Sequence, residues 1–509
     1  AGIYFYGESI DSIYTHRNVY LLTVGKKDDG LQMESIEDTG LPYSIGANNS
    51  FNETIHAEED HFALTAMFDD PETDYWMWDY IIADNPDYST SSFDIWTYGA
   101  ADTGTARLTA LLHGGADANN LQNHHVTVSL NGTWIGEDRW SGPVGHDIVL
   151  TFSPDLLNEG KNTIEVTGLL DKGVPYSLFF VDSFNLDYPR YYQAVNNYLF
   201  VRGDGNNEIT VTGFTDDDIM VFDVSSPKTP KIIAGATIEE TGSGCQVSFT
   251  PEAADTQYLV MARGASIPPC SLVPDYVSSL KHNRNRADYL IIAPANLHKS
   301  AQMLADYRED QGLTAMVVDL EDVMDEFSHG LYNPNAIHDF LSFAYHNWNK
   351  APQYVVLAGN GTFDYKDNMG YGDNLVPALM VTTPHGLFAS DNRYADVDGR
   401  DGMPDMAIGR LPVMSAQELE SAVHKIKAYE ISGGAWTSNV LMVADNPNSG
   451  GNFPADSDAV AEMLAPGYLA EKIYLSEDSI ADSRSQVIDG IHNGALLLNY
   501  IGHGGLDRL

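Results

Sequence analysis

A histidine followed by two glycines closes the last apolar run of the chain: ALLLNYIG leads into His503, Gly504 and Gly505. Imidazole takes up and returns a proton near neutral pH, so a histidine delivered at a strand end is a candidate general base. An earlier apolar run, SNVLMVA, delivers Asp445 in the same way. If these two strands are neighbours in a parallel sheet, both side chains emerge at one rim. Asp445 then accepts a hydrogen bond from one ring nitrogen, which fixes the tautomer and leaves the other nitrogen free as the base. Gly504 lets a substrate approach the backbone, and its N–H is placed to face a developing oxyanion. Together these residues are half of a nucleophilic site, a base and its orienter without a nucleophile. The plainer alternative is a histidine that ends a strand beside a glycine turn.

A second group of residues is suited to a cation. Asp391, Asp396, Asp398 and Asp401 crowd into SDNRYADVDGRDG. Acidic oxygens at a spacing of two, between glycine turns, suit Ca²⁺, a hard ion that takes about six to eight oxygen ligands. The run is not an EF-hand, because the glycine at the sixth loop position and the glutamate at the twelfth are missing. The alternative is an acidic, solvated turn. Asp364 and Asp373, near a glycine turn, are weaker cation candidates. Other motifs fail. The histidines of HAEEDH, His56 and His61, lack the HExxH spacing of a zinc peptidase. His124 and His125 point to opposite faces of an alternating strand. There is no G-x-S-x-G elbow, and the Gly-Asn-Gly at Asn360 lacks the lysine of a phosphate-binding loop. Asn131-Gly-Thr is a glycosylation sequon without a known host.

The elements that must position these residues change character along the chain. Up to about residue 282, aromatic and β-branched runs such as IYFYG, NVYLLTVG, TARLTALLHG, HHVTVSLNG and SLFFVDSFNL alternate with Gly, Asn and Asp clusters. Regular turn signals with scarce helical periodicity predict all-β sandwich or jelly-roll domains. The expected divisions are an irregular β-rich region at 1–95, a jelly-roll, carbohydrate-binding-like sandwich at 96–190, and a small sandwich at 191–282. Trp134 and Trp140 of the jelly roll are expected in its core. From Ala287 the pattern becomes strand, helix, strand: DYLIIAP, SAQMLADYREDQG, TAMVVDL, NPNAIHDFLSFAYHNW, PQYVVLAGNG, SAQELESAVHKIKAYE, SNVLMVAD and ADSDAVAEMLA, then KIYLS, SRSQVIDGIHNG and ALLLNYIGHGG. Such alternation predicts an α/β domain at 283–509 with a mostly parallel sheet, whose functional groups gather beyond the carboxyl ends of the strands.

Composition narrows the function classes. At about 100–200 residues per domain, 509 residues predict about three or four domains. The chain carries 72 acidic against 27 basic residues, a formal net charge of −45. Such a surface repels phosphate backbones and anionic lipid, which excludes nucleic acid as an expected partner. With 19% charged and 11% aromatic residues, the chain reads as a folded acidic protein rather than a disordered polyanion. No run approaches the ~18 apolar residues of a transmembrane span. Ala1 leads straight into GIYFYGES, read as a strand, a start that fits either a processed mature protein or a trimmed piece. Cys245 and Cys270 are neither a disulfide framework nor a zinc cluster; they form one bridge or stay as thiols, and a secreted setting favours the bridge.

NYIGHGG resembles the catalytic-histidine motif of the gingipain-like cysteine peptidases, a branch of the caspase-related clan. RADYLIIAP, DEFSHGLYNPNAIHDFL, YVVLAGNGTFDY, ASDNRYADVDGRDGMPDMAIGRLPV and KIKAYE are similar, in order, to that family's catalytic domain. FYGESIDSIYTHRNVYLL, HAEEDHF with YWMWDYI, and MVFDVSSPKTPKII resemble earlier regions of its multidomain secreted members. The resemblance implies a caspase-like α/β domain and a secreted or cell-surface endopeptidase acting on proteins or peptides. It implies His503 as base, Asp445 as its orienter and the Gly504 N–H in the oxyanion hole. The family's cysteine lies on the following strand, a few dozen residues past the histidine, so it is expected beyond Leu509, either because the chain is a truncation or on a C-terminal fragment of the same precursor that would be a partner. Cys245 and Cys270 both precede the catalytic domain and cannot be that residue by position. In Arg-preferring members an acid lies just after the orienting acid's strand, a place taken by Asp456 and Asp458, which also suit the first turn of a helix. The family often binds calcium in this domain. The competing reading is a non-catalytic surface, assembly or glycan-binding protein on a degenerate peptidase scaffold.

Overall fold

The Asn131-Gly132 pair sits between two apolar strands, and in the structure both residues take positive φ, 50° and 77°. That is the two-residue hairpin turn whose twist matches the flanking strands. A computed structural model describes residues 3–26, 32–38, 49–117, 122–399 and 401–504. The chain divides into two units, 1–414 and 415–509.

In the first unit, the hairpin belongs to a sandwich of two antiparallel sheets. One sheet runs in the order Gly145–Phe152, Ala106–Gly114, Leu178–Tyr191, Ser50–Glu58, with Asp79–Ile82 also pairing with Leu178–Tyr191. The other runs Thr90–Thr97, Gly160–Leu169, His124–Leu130, Thr133–Trp140. Strict alternation along Ala106–Gly114 turns Ala106, Leu108, Ala110 and Leu112 inward. They meet Phe93, Val128, Ile164 and Phe184 in one core. Each fully buried Val, Leu or Phe contributes roughly 1.5–3 kcal/mol. The Asn131 side-chain amide donates to the Leu156 carbonyl and to Asn162 Oδ1, and its own oxygen accepts the Thr163 N–H. This amide therefore pins the turn and is not a free sequon side chain.

Two features of this region depart from the sequence reading. The strand Ser50–Glu58 joins the sandwich from within 1–95, and the strand Thr90–Thr97 runs across the expected boundary at 95/96. Ser50–Glu58 is an edge strand with a single fully buried residue, Phe51, so its apolar signal is weak. IYFYG and NVYLLTVG form no strands: Ile3, Phe5, Leu22 and Val24 are exposed, without sheet partners among the described residues.

The smaller sandwich packs Tyr198–Arg202, Gln257–Ala262, Ile219–Asp223 and Lys231–Ala234 against Ile209–Phe214 and Gly244–Phe249. Its core holds Val211, Phe214, Val221, Phe249 and Val260. It too borrows a strand from the N-terminal region, Glu34–Glu37, which pairs in parallel with Lys231–Ala234. Cys245 lies in this sandwich half-buried and Cys270 is exposed in the segment after it; both are free thiols, so the bridge favoured from the sequence is not formed.

The α/β part of the first unit is a four-stranded parallel sheet in the order Ala315–Asp319, Tyr289–Ala293, Tyr354–Ala358, Ala407–Leu411. Every residue of Tyr289–Ala293 is buried, as a central parallel strand covered on both faces requires. Its helices include His298–Asp310, Leu320–Ser328 and Asn335–Asn347. The second unit repeats the pattern with a three-stranded parallel sheet in the order Leu469–Tyr474, Asn439–Ala444, Leu497–Ile501, and helices Ala416–Ile431, Phe453–Glu462 and Ile480–Asn493. Ser415 opens the first of these helices, its hydroxyl accepting the Glu418 N–H. The architecture is thus β-sandwiches followed by an α/β region with parallel sheets. Among the described residues, no helix is long and apolar enough to cross a membrane.

Candidate active site

Parallel pairing of Asn439–Ala444 with Leu497–Ile501 sets Ala444 beside Ile501, so the chain leaves both strands at the same rim. One residue on, Asp445 hydrogen-bonds through its N–H to the Ile501 carbonyl, and its side chain meets His503. His503 Nδ1 lies 2.8 Å from Asp445 Oδ2. The same oxygen accepts the His503 backbone N–H at 3.4 Å, and Oδ1 accepts the Asn446 N–H at 2.6 Å. The bond from His503, first, and that from Asn446 hold the Asp445 carboxyl below its usual range. An ionised carboxylate on Nδ1 keeps the proton there and leaves Nε2 as the acceptor.

The ring is held from a second side. Phe453 meets it edge to face, with centroids 5.0 Å apart and planes at 85°. Tyr500 Oη donates to the His503 carbonyl at 2.7 Å. The His503 side chain stays 58% exposed, so its free nitrogen is open to an incoming group. Close approach of the two strand ends depends on Gly502. A Cβ there would stand 2.5 Å from Asp445 Cβ and 2.5 Å from Tyr500 Oη, where no side chain fits. Gly450 borders the other face: a Cβ on it would lie 3.5 Å from His503 Nε2. Gly504 is exposed, with open space where a Cβ would be. Neither cysteine lies in this unit.

The two acids of the next helix part company. Asp458 Oδ1 binds Lys472 Nζ at 2.6 Å and Tyr474 Oη at 2.7 Å, and these bonds hold its carboxyl below the usual range. That carboxylate is engaged within the fold by a solvent-exposed ion pair. Asp456 is exposed, and its Oδ2 lies 3.9 Å from the Cβ position of Gly451, next to the glycine that borders His503.

The four loop aspartates do not converge. Asp391 makes a two-pronged ion pair with Arg410, both contacts 2.8 Å, and that guanidinium also ties down the Gly359, Val376 and Pro377 carbonyls. Asp396 Oδ2 takes Arg393 Nη1 at 2.5 Å and the Gly402 N–H at 3.1 Å, while its buried Oδ1 has no partner. Asp401 accepts the Met403 N–H, and Asp398 is exposed. Asp391 and Asp396 are paired with Arg410 and Arg393, while Asp398 and Asp401 are exposed, so the four carboxylates do not face one point. Asp364 accepts the Asn368 and Met369 N–H groups to close a turn, and Asp373 uses its carbonyl to accept from Asn360.

Among the described residues, the carboxylates that do converge are Glu58, Asp60 and Asp74, one oxygen from each lying within 4.8 Å of the others. Burial first, then Glu58 and Asp74, push the neighbouring Asp182 up to about 7. Burial likewise lifts Glu58 to about 6. Sequence reasoning missed this group because its members are scattered over three stretches. The one local sign was the acidic run inside HAEEDH, weighed only as a zinc motif.

Residues 282–509 match the model of peptidase family C25. Over 221 residues the chain is 25% identical to Gingipain R2 of Porphyromonas gingivalis (strain ATCC BAA-308 / W83), covering 42% of this chain and 27% of that protein. It is 24% identical over 221 residues to Gingipain R1 of Porphyromonas gingivalis, of which it covers 20%. The chain thus spans about a quarter or less of the curated relatives it matches. Among solved structures, dimeric latent PorU from Porphyromonas gingivalis superposes with a TM-score of 0.57 at 16% identity, covering 79% of this chain and 40% of that one, a likeness of fold. Residues 282–509 are thus similar to peptidase family C25 and, within it, to the gingipains.

Proposed function

We propose that this chain is part of an extracellular or cell-surface cysteine endopeptidase, in which His503 is the base and Asp445 its orienter. The observation that carries this reading is the 2.8 Å contact between Asp445 Oδ2 and His503 Nδ1, with Nε2 of the same ring exposed. The nucleophile is a cysteine supplied from outside these 509 residues, on a following segment or a companion fragment of the same precursor. His503 Nε2 takes the thiol proton, and the sulfur attacks the substrate carbonyl carbon. The carbonyl oxygen becomes an oxyanion facing the Gly504 N–H. His503 then passes its proton to the leaving amine as the C–N bond breaks, which leaves an acyl-enzyme. Water attacks the acyl carbon, giving its proton to His503, and the thiol departs with that proton. Protein or peptide chains are the substrates. Asp456, exposed beside the glycines that border His503, is the group for a basic side chain at the cleavage position.

Fluorogenic peptides test this on a polypeptide that includes the cysteine segment. Cleavage after Arg or Lys is expected, and Asp456→Asn should raise KM for those peptides at least tenfold while sparing peptides with a neutral residue there. Hydrolysis that is unchanged in His503→Ala would end the peptidase reading.

One observation favours a second role for the larger sandwich. Trp140 is in its core, but Trp134, expected there too, is 60% exposed, and Trp96 is 52% exposed. Strand pairing puts Trp134 and Trp96 on the same outward face, on opposite edge strands of one sheet. Exposed indoles on one sheet face suit the apolar faces of sugar rings. A carbohydrate array compared between the wild type and Trp134→Ala tests this, and an absence of hits removes it.

A further inference from the structure

We propose that Glu58, Asp60 and Asp74, with Asp182 beside them, form a calcium site in the larger sandwich that also clamps the loop carrying Lys366 and Asn368. Three strands bring the group together. Glu58 ends the edge strand Ser50–Glu58, and Asp60 follows two residues later. Asp74 precedes the short strand Trp76–Met77 and caps it by accepting the Trp76 N–H. Asp182 occupies the irregularity between Val181 and Ser183, next to the Ser183–Glu58 pair.

The donor geometry suits a hard ion. Oxygens within 4.8 Å of one another can share one ion at a Ca–O distance of about 2.4 Å. No sulfur is present, and the nearby His56 imidazole is engaged at both nitrogens, by Asn185 Oδ1 and Glu58 Oε2, each at 2.8 Å. An all-oxygen set favours calcium over zinc.

A separate observation points to a missing cation. The Asp60 side chain is only 10% exposed, and its Oδ1 is buried without a partner. A buried carboxylate oxygen left unpaired costs enough that native proteins rarely keep one without a proton or an ion. The groups facing the cluster do not balance it. Lys366 Nζ binds Asp60 Oδ2 at 2.8 Å and lies 3.6 Å from Asp11 Oδ1, while Glu72 is taken by Tyr14 Oη and Asn335. Among the described residues, the Lys366 ammonium and the His56 ring, charged only when protonated, thus face Glu58, Asp60, Asp74, Asp182 and Asp11. A cavity of about 390 Å³, lined by Asp11, Tyr14, His56, Glu58, Asp74 and Lys366, gives an ion room to enter. Asp60 Oδ2 also accepts Asn368 Nδ2 at 3.1 Å, so an ion that fixes Asp60 fixes this loop of the α/β region as well.

Isothermal titration of the calcium-stripped chain with CaCl₂ tests the site. The wild type should bind calcium and gain thermal stability from it. In Glu58→Gln/Asp74→Asn the binding should weaken at least tenfold and the calcium-induced rise in Tm should vanish. In EGTA that double variant should melt at or above the wild type, because it has lost mutually repelling charges. Lys366→Met, which removes the competing ammonium, should tighten binding several-fold. No binding by the wild type would overturn the proposal. So would binding that survives in the double variant but is lost in Asp396→Asn/Asp398→Asn, or a double variant that melts far below the wild type in EGTA.

Discussion

Gly502 decides whether two strand ends can work together. Asp445 and His503 approach because nothing projects between them, and alanine at 502 would put a methyl group 2.5 Å from Asp445 Cβ. Gly502→Ala should therefore separate carboxylate and ring, with a stability loss of about 1–3 kcal/mol from overpacking and a larger loss of turnover. Thermal melts beside peptide-cleavage rates check both, and full activity would show that the close approach is dispensable. Asp445→Asn tests the charge alone. An amide can keep a hydrogen bond to Nδ1 but no longer enforces the tautomer, so kcat should fall on the order of 10²–10⁴-fold with little change in KM. The pH dependence follows from the depressed Asp445 carboxyl. A carboxyl lowered on folding stabilises the native state above its unfolded pKa of about 3.9, and that contribution is lost as pH falls through the lower folded value. The Asp445–His503 contact should thus persist through weakly acidic pH. A ¹³C titration of the Asp445 carboxyl checks the sign, and a midpoint above the ordinary aspartate range would contradict it.

At the scale of elements, parallel pairing turns two unrelated apolar runs into one rim. The runs before Asp445 and His503 were readable as strands because central parallel strands are apolar at almost every position. Their adjacency was not readable, since it depends on sheet order. The helix Leu320–Ser328 was missed for a related reason. Asp319 ends the strand Ala315–Asp319 and caps the helix that begins at the next residue, leaving no turn signal between them. Its side chain accepts the Glu321 N–H at 3.0 Å. Asp319→Ala should cost that helix about 1 kcal/mol, seen as roughly fivefold faster hydrogen exchange at its first amides. Unchanged exchange would mean packing alone holds the helix start. The aspartates of SDNRYADVDGRDG show the opposite failure. Their spacing was legible, but Asp391 pairs with Arg410, 19 residues further on, which no local pattern announced, while Arg393, three residues before Asp396 in the same run, was a local sign left unread. Asp458 was lost to Lys472 and Tyr474 in the same way.

For the whole molecule, the change from β modules to an α/β region was legible because hydrophobic periodicity itself changes near Ala287. The domain edges were less so. The region 1–95 is shared out, Glu34–Glu37 to the smaller sandwich and Ser50–Glu58 to the larger, because edge strands need only half an apolar face. The cluster Tyr14, Tyr75, Trp76, Tyr365 and Met380 then ties this N-terminal region to the α/β part of the same unit. Such long-range sharing makes the first unit a scaffold rather than a string of independent modules. The Asp445–His503 pair lies in the second unit, and the proposed peptidase reading requires a thiol to join it. The most direct measurement is labelling by an electrophilic peptidyl probe of a polypeptide extended past Leu509. One cysteine should be labelled stoichiometrically, with the rate falling at least a hundredfold in His503→Ala. A segment without a cysteine, or labelling indifferent to His503, would contradict the assignment of His503 and Asp445 as a peptidase's base and orienter.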